Sequence, residues 1–171
     1  MAIEIRLLSE SDATSFWNLR LEGLSQEPRS FGQSAEEHHA ISLADFAVRL
    51  QGNSAGGNFV IGAFVGPQLI GTAGFYRLQN RKEAHRGHVW GVYVTADHRG
   101  RGVGRKVMVE LLRLARLQPT LELINLAVAS HNAPAKRLYE SLGFELYGRD
   151  VRALKIGQDY VDEELMVLQV K

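Results

Sequence analysis

The 171-residue sequence predicts a single α/β unit with antiparallel outer strands. Three observations carry that expectation. Two apolar runs, residues 59–65 and 69–76, flank Gly66-Pro67 in the pattern of a β-hairpin. A strand-like run over 85–94 leads into a glycine-rich loop and then into an amphipathic helix. No internal repeat, low-complexity tract or linker divides the chain, so residues 1–171 read as one domain.

The elements follow in order. Ile3, Ile5 and Leu7 alternate with Glu4 and Arg6, giving a short first strand, and residues 9–12 then offer N-cap chemistry. A helix through Trp17, Leu21 and Leu24 comes next. Pro28 and Gly32 mark residues 26–34 as a loop, after which Leu43, Phe46, Ala47 and Leu50 recur at helical spacing. Residues 52–58 punctuate the chain before the hairpin. Beyond the loop, Val107, Met108, Leu111, Leu112 and Ala115 define one helical face. Residues 121–129 form a buried strand, and 132–142 a short helix ended by Gly143. Strands over 144–151 and about 161–170 close the unit.

Composition narrows the functional classes. Lys and Arg number 20 against 19 Asp and Glu, so no global field draws in nucleic acid or an anionic membrane, and any anion site must be local. Cysteine is absent, which excludes disulfide frameworks, thiolate metal clusters and a cysteine nucleophile. With no apolar leader and no run long enough to span a bilayer, the expectation is a cytoplasmic protein that engages neither membrane nor nucleic acid. Glu36-Glu37-His38-His39 brings acids and histidines together without the histidine spacing of a zinc site. It reads as a solvated helix face, and no metal is expected.

The loop carries the chemistry. Gly100, Gly102 and Gly104 at alternate positions before a helix let successive amides converge on an anion, and the helix dipole favours negative charge there. Arg99, Arg101 and Arg105 add positive charge around a phosphate. A P-loop requires Gly-Lys-Ser/Thr, but Lys106 lies between Arg105 and Val107. A dinucleotide fingerprint requires a small residue at 105 or 107, where Arg105 and Val107 stand. A plain connecting turn is the alternative, and three arginines at an unoccupied positive helix end speak against it.

Arg99-x-x-Gly102-x-Gly104 resembles the Arg/Gln-x-x-Gly-x-Gly/Ala signature of the GNAT acetyltransferase superfamily. Asn132 to Phe144 contains Asn132, Ala135, Leu138, Tyr139, Gly143 and Phe144, and is similar to that family's second signature, Asn-x-x-Ala-x-x-Leu-Tyr-x-x-x-Gly-Phe. The resemblance implies a mixed, mostly antiparallel sheet of six to seven strands flanked by helices and splayed between the fourth and fifth strands. It also implies acetyl-CoA as cosubstrate, with residues 99–105 (Arg99, Gly100, Arg101, Gly102, Val103, Gly104, Arg105) around the pyrophosphate. The main chain of Val92, Tyr93 and Val94, together with Asn132, would hold the pantetheine arm.

Acetyl transfer from a thioester to an amine needs a neutral amine, an aligned carbonyl, oxyanion stabilisation and a proton for the departing thiolate. The resemblance gives Tyr139 the last role; its other reading is a packed aromatic. His88, placed by period-two alternation on the face of Trp90, Val92 and Val94, is a candidate base, or else a structural histidine. His85 is a lesser candidate. Gly91 interrupts its strand, as a bulge or as a packing site. Asn132 can also N-cap its helix. Phe31, Phe75, Trp90 and Tyr160 line an acceptor pocket or belong to the core. The expected reaction is direct transfer to a primary amine, small-molecule or peptide, and the resemblance implies that about residues 26–34 and 154–160 set the acceptor. A peptide N-terminus or lysine as acceptor, or a non-catalytic acyl-CoA sensor, remain as alternatives, and exposed strand edges permit a homodimer.

Overall fold

A computed structural model describes residues 2–51 and 57–171; of the predicted break at 52–58, residues 52–56 lie outside the described residues. Strand β1 (Ile3–Leu7) is followed by α1 (Ala13–Gln26), α2 (Ala35–His39) and α3 (Leu43–Ala47). The hairpin β2 (Phe59–Val65) and β3 (Gln68–Arg77) leads to β4 (Arg86–Val94), α4 (Val103–Ala115), β5 (Leu123–Ala129), α5 (Ala133–Ser141), β6 (Glu145–Ile156) and β7 (Asp159–Gln169).

The strands form one seven-stranded sheet in the order β1-β2-β3-β4-β5-β7-β6. Every neighbouring pair is antiparallel except β4 and β5. A parallel pair needs a crossover, and the glycine loop with α4 supplies it. Alternate residues of β2 enter different cores, Ile61 and Ala63 one, Val60 and Phe64 the other. Successive side chains leave a strand on opposite sides, so the sheet separates a core built with α4 and α5 from one built with α1 and α3. The face of α4 predicted from its spacing is buried at Val107, Met108, Leu111, Leu112 and Ala115.

Local chemistry explains the helix ends. The Asp12 carboxylate accepts from the Ser9 amide at 2.9 Å and from both terminal nitrogens of Arg6 at 2.8 Å, fixing the entry to α1. Ser34 and Glu37 form a reciprocal capping box on α2. Gly143, at φ 95°, ends α5 while the Phe144 amide returns to the Tyr139 carbonyl at 3.1 Å.

Three expectations need correction. The acidic and histidine-rich segment is not wholly a solvated face, because His38 is fully buried. Its ring lies 4.8 Å from Trp17 and 5.1 Å from Phe46, and Nε2 is 3.0 Å from the Trp17 carbonyl oxygen, so the helix is short and turned inward at that position. The sixth strand continues to Ile156 rather than 151, and the seventh begins at Asp159 rather than 161. Main-chain pairing with β7 carries this hairpin past the end of its apolar pattern, with a register shift between Asp150 and Leu154. Thirdly, His88 does not share a face with Val92 and Val94. Gly91 sits at φ 61° in a bulge opposite Thr72 and Gly74, and the extra residue inverts the alternation. Val89, Val92 and Val94 consequently pack with α4, while Trp90 and Tyr93 pack with α1.

Candidate active site

The bulge positions the site. Pairing between β4 and β5 covers only Arg86 to His88 against Leu123 to Asn125, so from Val89 onward the β5-facing edge of β4 has no strand partner. An unpaired backbone edge facing an opening is a template for an added strand. The opening is a cleft of about 560 Å³ floored by Gly91 to Val94 of β4 and Ala127 to Ala129 of β5.

One end of the cleft is the glycine loop. Gly100 and Gly102 stand at φ 71° and 76°, where a side chain would be strained, and no protein atom lies within 4 Å of the place a Cβ would take. Gly104 differs from them: its φ is not in the left-handed region, and a Cβ there would make ordinary contacts with Leu138 and Val94, at 3.4 and 3.8 Å. The first intrahelical bond of α4 is Lys106 N–H to the Gly102 carbonyl at 3.1 Å. Among the described residues, no amide of residues 100–105 donates to a backbone or side-chain acceptor. Unpaired amides at a positive helix terminus with open space before them form an anion cradle.

The arginines divide their roles. Arg99 donates to the Val94 carbonyl at 2.9 Å and to Glu27 Oε1 at 2.8 Å, and its guanidinium lies over the Tyr93 ring at 5.4 Å. It ties the loop to the end of β4 and to α1 while lining the cleft. Arg105 also lines the cleft and donates to Ser141 Oγ at 2.8 Å. Arg101 does not line it.

The other wall is α5. Asn132 accepts from the Ala135 amide at 3.2 Å as the N-cap and lines the cleft at the same time. Tyr139 is 6% exposed, edge-on to Phe144 at 6.0 Å, and lines the cleft. Burial pushes its phenol pKa upward, so the hydroxyl keeps its proton near neutrality. Among the described residues it has no hydrogen-bond partner in the protein, which leaves it free for one in the cleft.

Val92, Tyr93, Val94, Arg99, Gly100, Gly102, Val103, Gly104, Arg105, Asn132 and Tyr139 therefore meet at one cleft. The Tyr93 side chain turns away from it, its hydroxyl donating to Glu22 Oε1 at 2.9 Å; burial and that carboxylate raise its pKa to about 12. His88 lies outside the cleft, stacked on Tyr76 at 5.1 Å where pairing with β5 ends. Burial, then Arg86, lower its pKa, so the imidazole is neutral at pH 7. Of the proposed acceptor aromatics only Phe31 lines the cleft, whereas Trp90 and Phe75 line a separate cavity of about 340 Å³. Residues 26–34 and the β6–β7 tip meet, with Arg29 3.9 Å from Asp159 and the Cβ position of Gly32 3.9 Å from Leu154. Sequence reasoning missed His98 and His131, which also line the cleft, and Glu27, whose pairing with Arg99 spans 72 positions. Among the described residues no group of three or more His, Asp or Glu side chains is arranged to hold a metal.

A sheet prised open beside an anion cradle, with a proton-bearing phenol on the facing wall, suits an extended, phosphate-bearing ligand. The chain belongs to the acetyltransferase (GNAT) family, whose model matches residues 19–144. It is 36% identical over 91 residues to the N-alpha-acetyltransferase RimI of Mycobacterium tuberculosis, a match covering 53% of this chain and about half of that protein, 54%. It is 25% identical over 158 residues, 92% of this chain and 82% of the relative, to NAA20 of Arabidopsis thaliana, the catalytic subunit of the N-terminal acetyltransferase B complex. The structure of yncA from Salmonella typhimurium with its cofactor acetyl-CoA superposes with a TM-score of 0.87 at 19% identity, covering 100% of this chain and 95% of that one, which shows a shared fold.

Proposed function

We propose that the protein transfers an acetyl group from acetyl-CoA to a primary amine, directly within a ternary complex. The observation that carries this reading is the cleft itself, which runs along an unpaired β4 edge between a cradle of free amides and the Tyr139 hydroxyl. The residues present fit the donor: a diphosphate suits the amides of residues 100–105 and Arg105, and an amide-bearing arm suits the main chain of Val92 to Val94 and Asn132.

Acetyl-CoA supplies the activated acyl group as a thioester. The chain's own residues do the rest. Backbone N–H groups beside the Gly91 bulge stabilise negative charge developing on a carbonyl oxygen in the opening. Tyr139 Oη keeps its proton near neutrality and donates it as a hydrogen bond to the departing sulfur, stabilising the thiolate's charge; burial makes it a weaker acid, so the thiol's final proton comes from the phenol or, through it, from water. His88, neutral at pH 7, takes the proton of the incoming ammonium through water, since its ring does not reach the cleft. Without a cysteine in the sequence no thiol can carry the acyl group, which favours direct attack. A peptide N-terminus as acceptor is a second reading, supported by the names of the mycobacterial and plant relatives.

The test is release of free thiol from acetyl-CoA with a panel of polyamines, amino acids, aminoglycosides and N-terminal peptides. The assay has no background from the protein, which contains no cysteine. Turnover with one acceptor class, slowed about tenfold or more in Tyr139→Phe, supports the reading. Tight acetyl-CoA binding without turnover on any acceptor would instead favour a sensor.

A further inference from the structure

A half-buried cation stands behind the Gly91 bulge, and among the described residues no carboxylate pairs with it. Arg20, on α1, places Nη1 3.3 Å from the position a Cβ would occupy on Gly91. Its guanidinium lies 5.1 Å from the Phe31 ring and 5.6 Å from the Trp90 ring, so it is gripped between one residue of the cleft and one of the neighbouring cavity. Nε is buried without any hydrogen-bond partner, and Nη2 reaches only Gln33 Oε1 at 3.4 Å. Among the described residues no carboxylate pairs with Arg20; the charge acting on it is a second cation, Arg49. One turn earlier on the same helix, Trp17 Nε1 is another buried N–H without a partner.

This arrangement is costly for folding alone. A charge taken out of water normally brings its counter-ion with it, and burial together with Arg49 lowers the Arg20 pKa to about 10. A guanidinium remains charged at that value, and its planar fork matches a carboxylate in two-point contact. A buried polar group without a protein partner is completed by water, an ion or a ligand, and an acceptor's carboxylate is the ligand that suits a guanidinium. Resting on the acetyl-transfer reading, we propose that Arg20 is the receptor for a carboxylate on the acceptor, so that the preferred substrate is an amine bearing an acidic group a few bonds away. Arg20 lines neither cavity itself; a carboxylate held at its half-buried guanidinium anchors the acceptor on the α1 side of Gly91, with the amine directed past the bulge to the cleft. The carboxylate comes either from a free α-amino acid or from an acidic side chain next to a peptide N-terminus; the chemistry at Arg20 is the same.

Matched acceptor pairs decide the matter. Initial rates are measured for α-amino acids against their carboxamides, and for dipeptides with Asp in second place against the same dipeptides with Asn. The wild type favours one carboxylate series by about 10- to 100-fold in kcat/KM, the range for a charge-assisted contact, and the favoured pair names the source. In Arg20→Gln that ratio falls towards one, mainly through KM, while the acetyl-CoA dissociation constant holds; Arg20→Lys keeps part of the preference. Should Arg20→Gln fail to fold by thermal melting, product inhibition of the wild type stands in, with the N-acetylated carboxylate product binding at least about tenfold tighter than its carboxamide. Equal rates within both pairs, or a preference that survives in folded Arg20→Gln, overturns the assignment while leaving acetyl transfer intact. No turnover of any acceptor despite acetyl-CoA binding removes the transfer reading and this inference with it.

Discussion

Gly91 is the residue on which the geometry of the cleft turns, and replacing it by alanine measures that dependence. At φ 61° an L-residue carries a backbone penalty of about 1–2 kcal/mol. The added methyl meets Arg20 Nη1 at 3.3 Å, closer than ordinary contact. Because the guanidinium is held between Phe31 and Trp90, yielding by a few tenths of an ångström costs about another 0.5–1 kcal/mol of side-chain strain. The sum is about 1.5–3 kcal/mol, a fall in Tm of about 3–12 °C for a domain of this size. Slipping the strand to relieve the strain would rotate Trp90 and Tyr93 out of the core formed with α1, so the bulge has no cheap escape. Thermal unfolding by circular dichroism gives the stability term, and isothermal titration with acetyl-CoA gives the functional one, expected to weaken about tenfold. Asparagine, which tolerates the left-handed region, should lose roughly half as much stability as alanine. If alanine and asparagine both leave Tm and affinity where they were, the bulge is not set by the backbone of Gly91 and the account of the cleft is wrong.

Other perturbations separate the remaining roles. His88→Ala should remove the acidic limb of the kcat/KM profile. The wild-type imidazole titrates below its usual 6.5, so activity that depends on its neutral form is present at pH 7 and lost as pH falls through that lowered value. An unchanged profile and rate exclude it as the base. Arg105→Gln should raise the KM for acetyl-CoA about tenfold with a Tm change under about 3 °C, since its contact with Ser141 is exposed. Loss of stability without a KM effect would make it structural. Asp12→Asn should cost about 1 kcal/mol at pH 6 in urea unfolding, after allowance for solvent screening of a pair near the surface. The bidentate contact with Arg6 holds the Asp12 pKa down to about 2, so this stability is present above the usual carboxylate value near 3.8 and disappears as pH falls through 2. A difference between the two proteins that persists below pH 2 contradicts the linkage.

What could be read from the sequence was what local chemistry dictates. Gly66-Pro67 announces its hairpin, the spacing of Val107 to Ala115 announces the buried face of α4, and the glycines at 100, 102 and 104 announce a loop with free amides, because each depends on neighbours in the chain. The bulge at Gly91 was legible as an interruption but not as an inversion. Whether one glycine adds a residue to a strand depends on the partner strand, here Thr72 and Gly74. The burial of His38 depends on Trp17 and Phe46, and the tether of Arg99 on Glu27, all distant in sequence. Arg20 is illegible for the same reason: a single arginine on a helix reads as solvated, and only the fold brings Gly91, Phe31 and Trp90 against it.

The two cores on opposite sides of the sheet have a consequence for how such a protein can change. Tyr139 and α4 belong to one, and the α1 face that presents Arg20 belongs to the other, with β4 as the wall between them. A substitution that reshapes the surroundings of Arg20 exerts its packing strain on α1, α3 and the strand side facing them, and reaches the glycine loop through the backbone of β4 and through the Arg99–Glu27 pair at the end of α1. Donor machinery and acceptor preference can thus drift at different rates within one chain, and grafting α1 to α3 from another member of the family is a recombination this partition tolerates where the graft keeps Glu22 and Glu27, the partners of Tyr93 and Arg99.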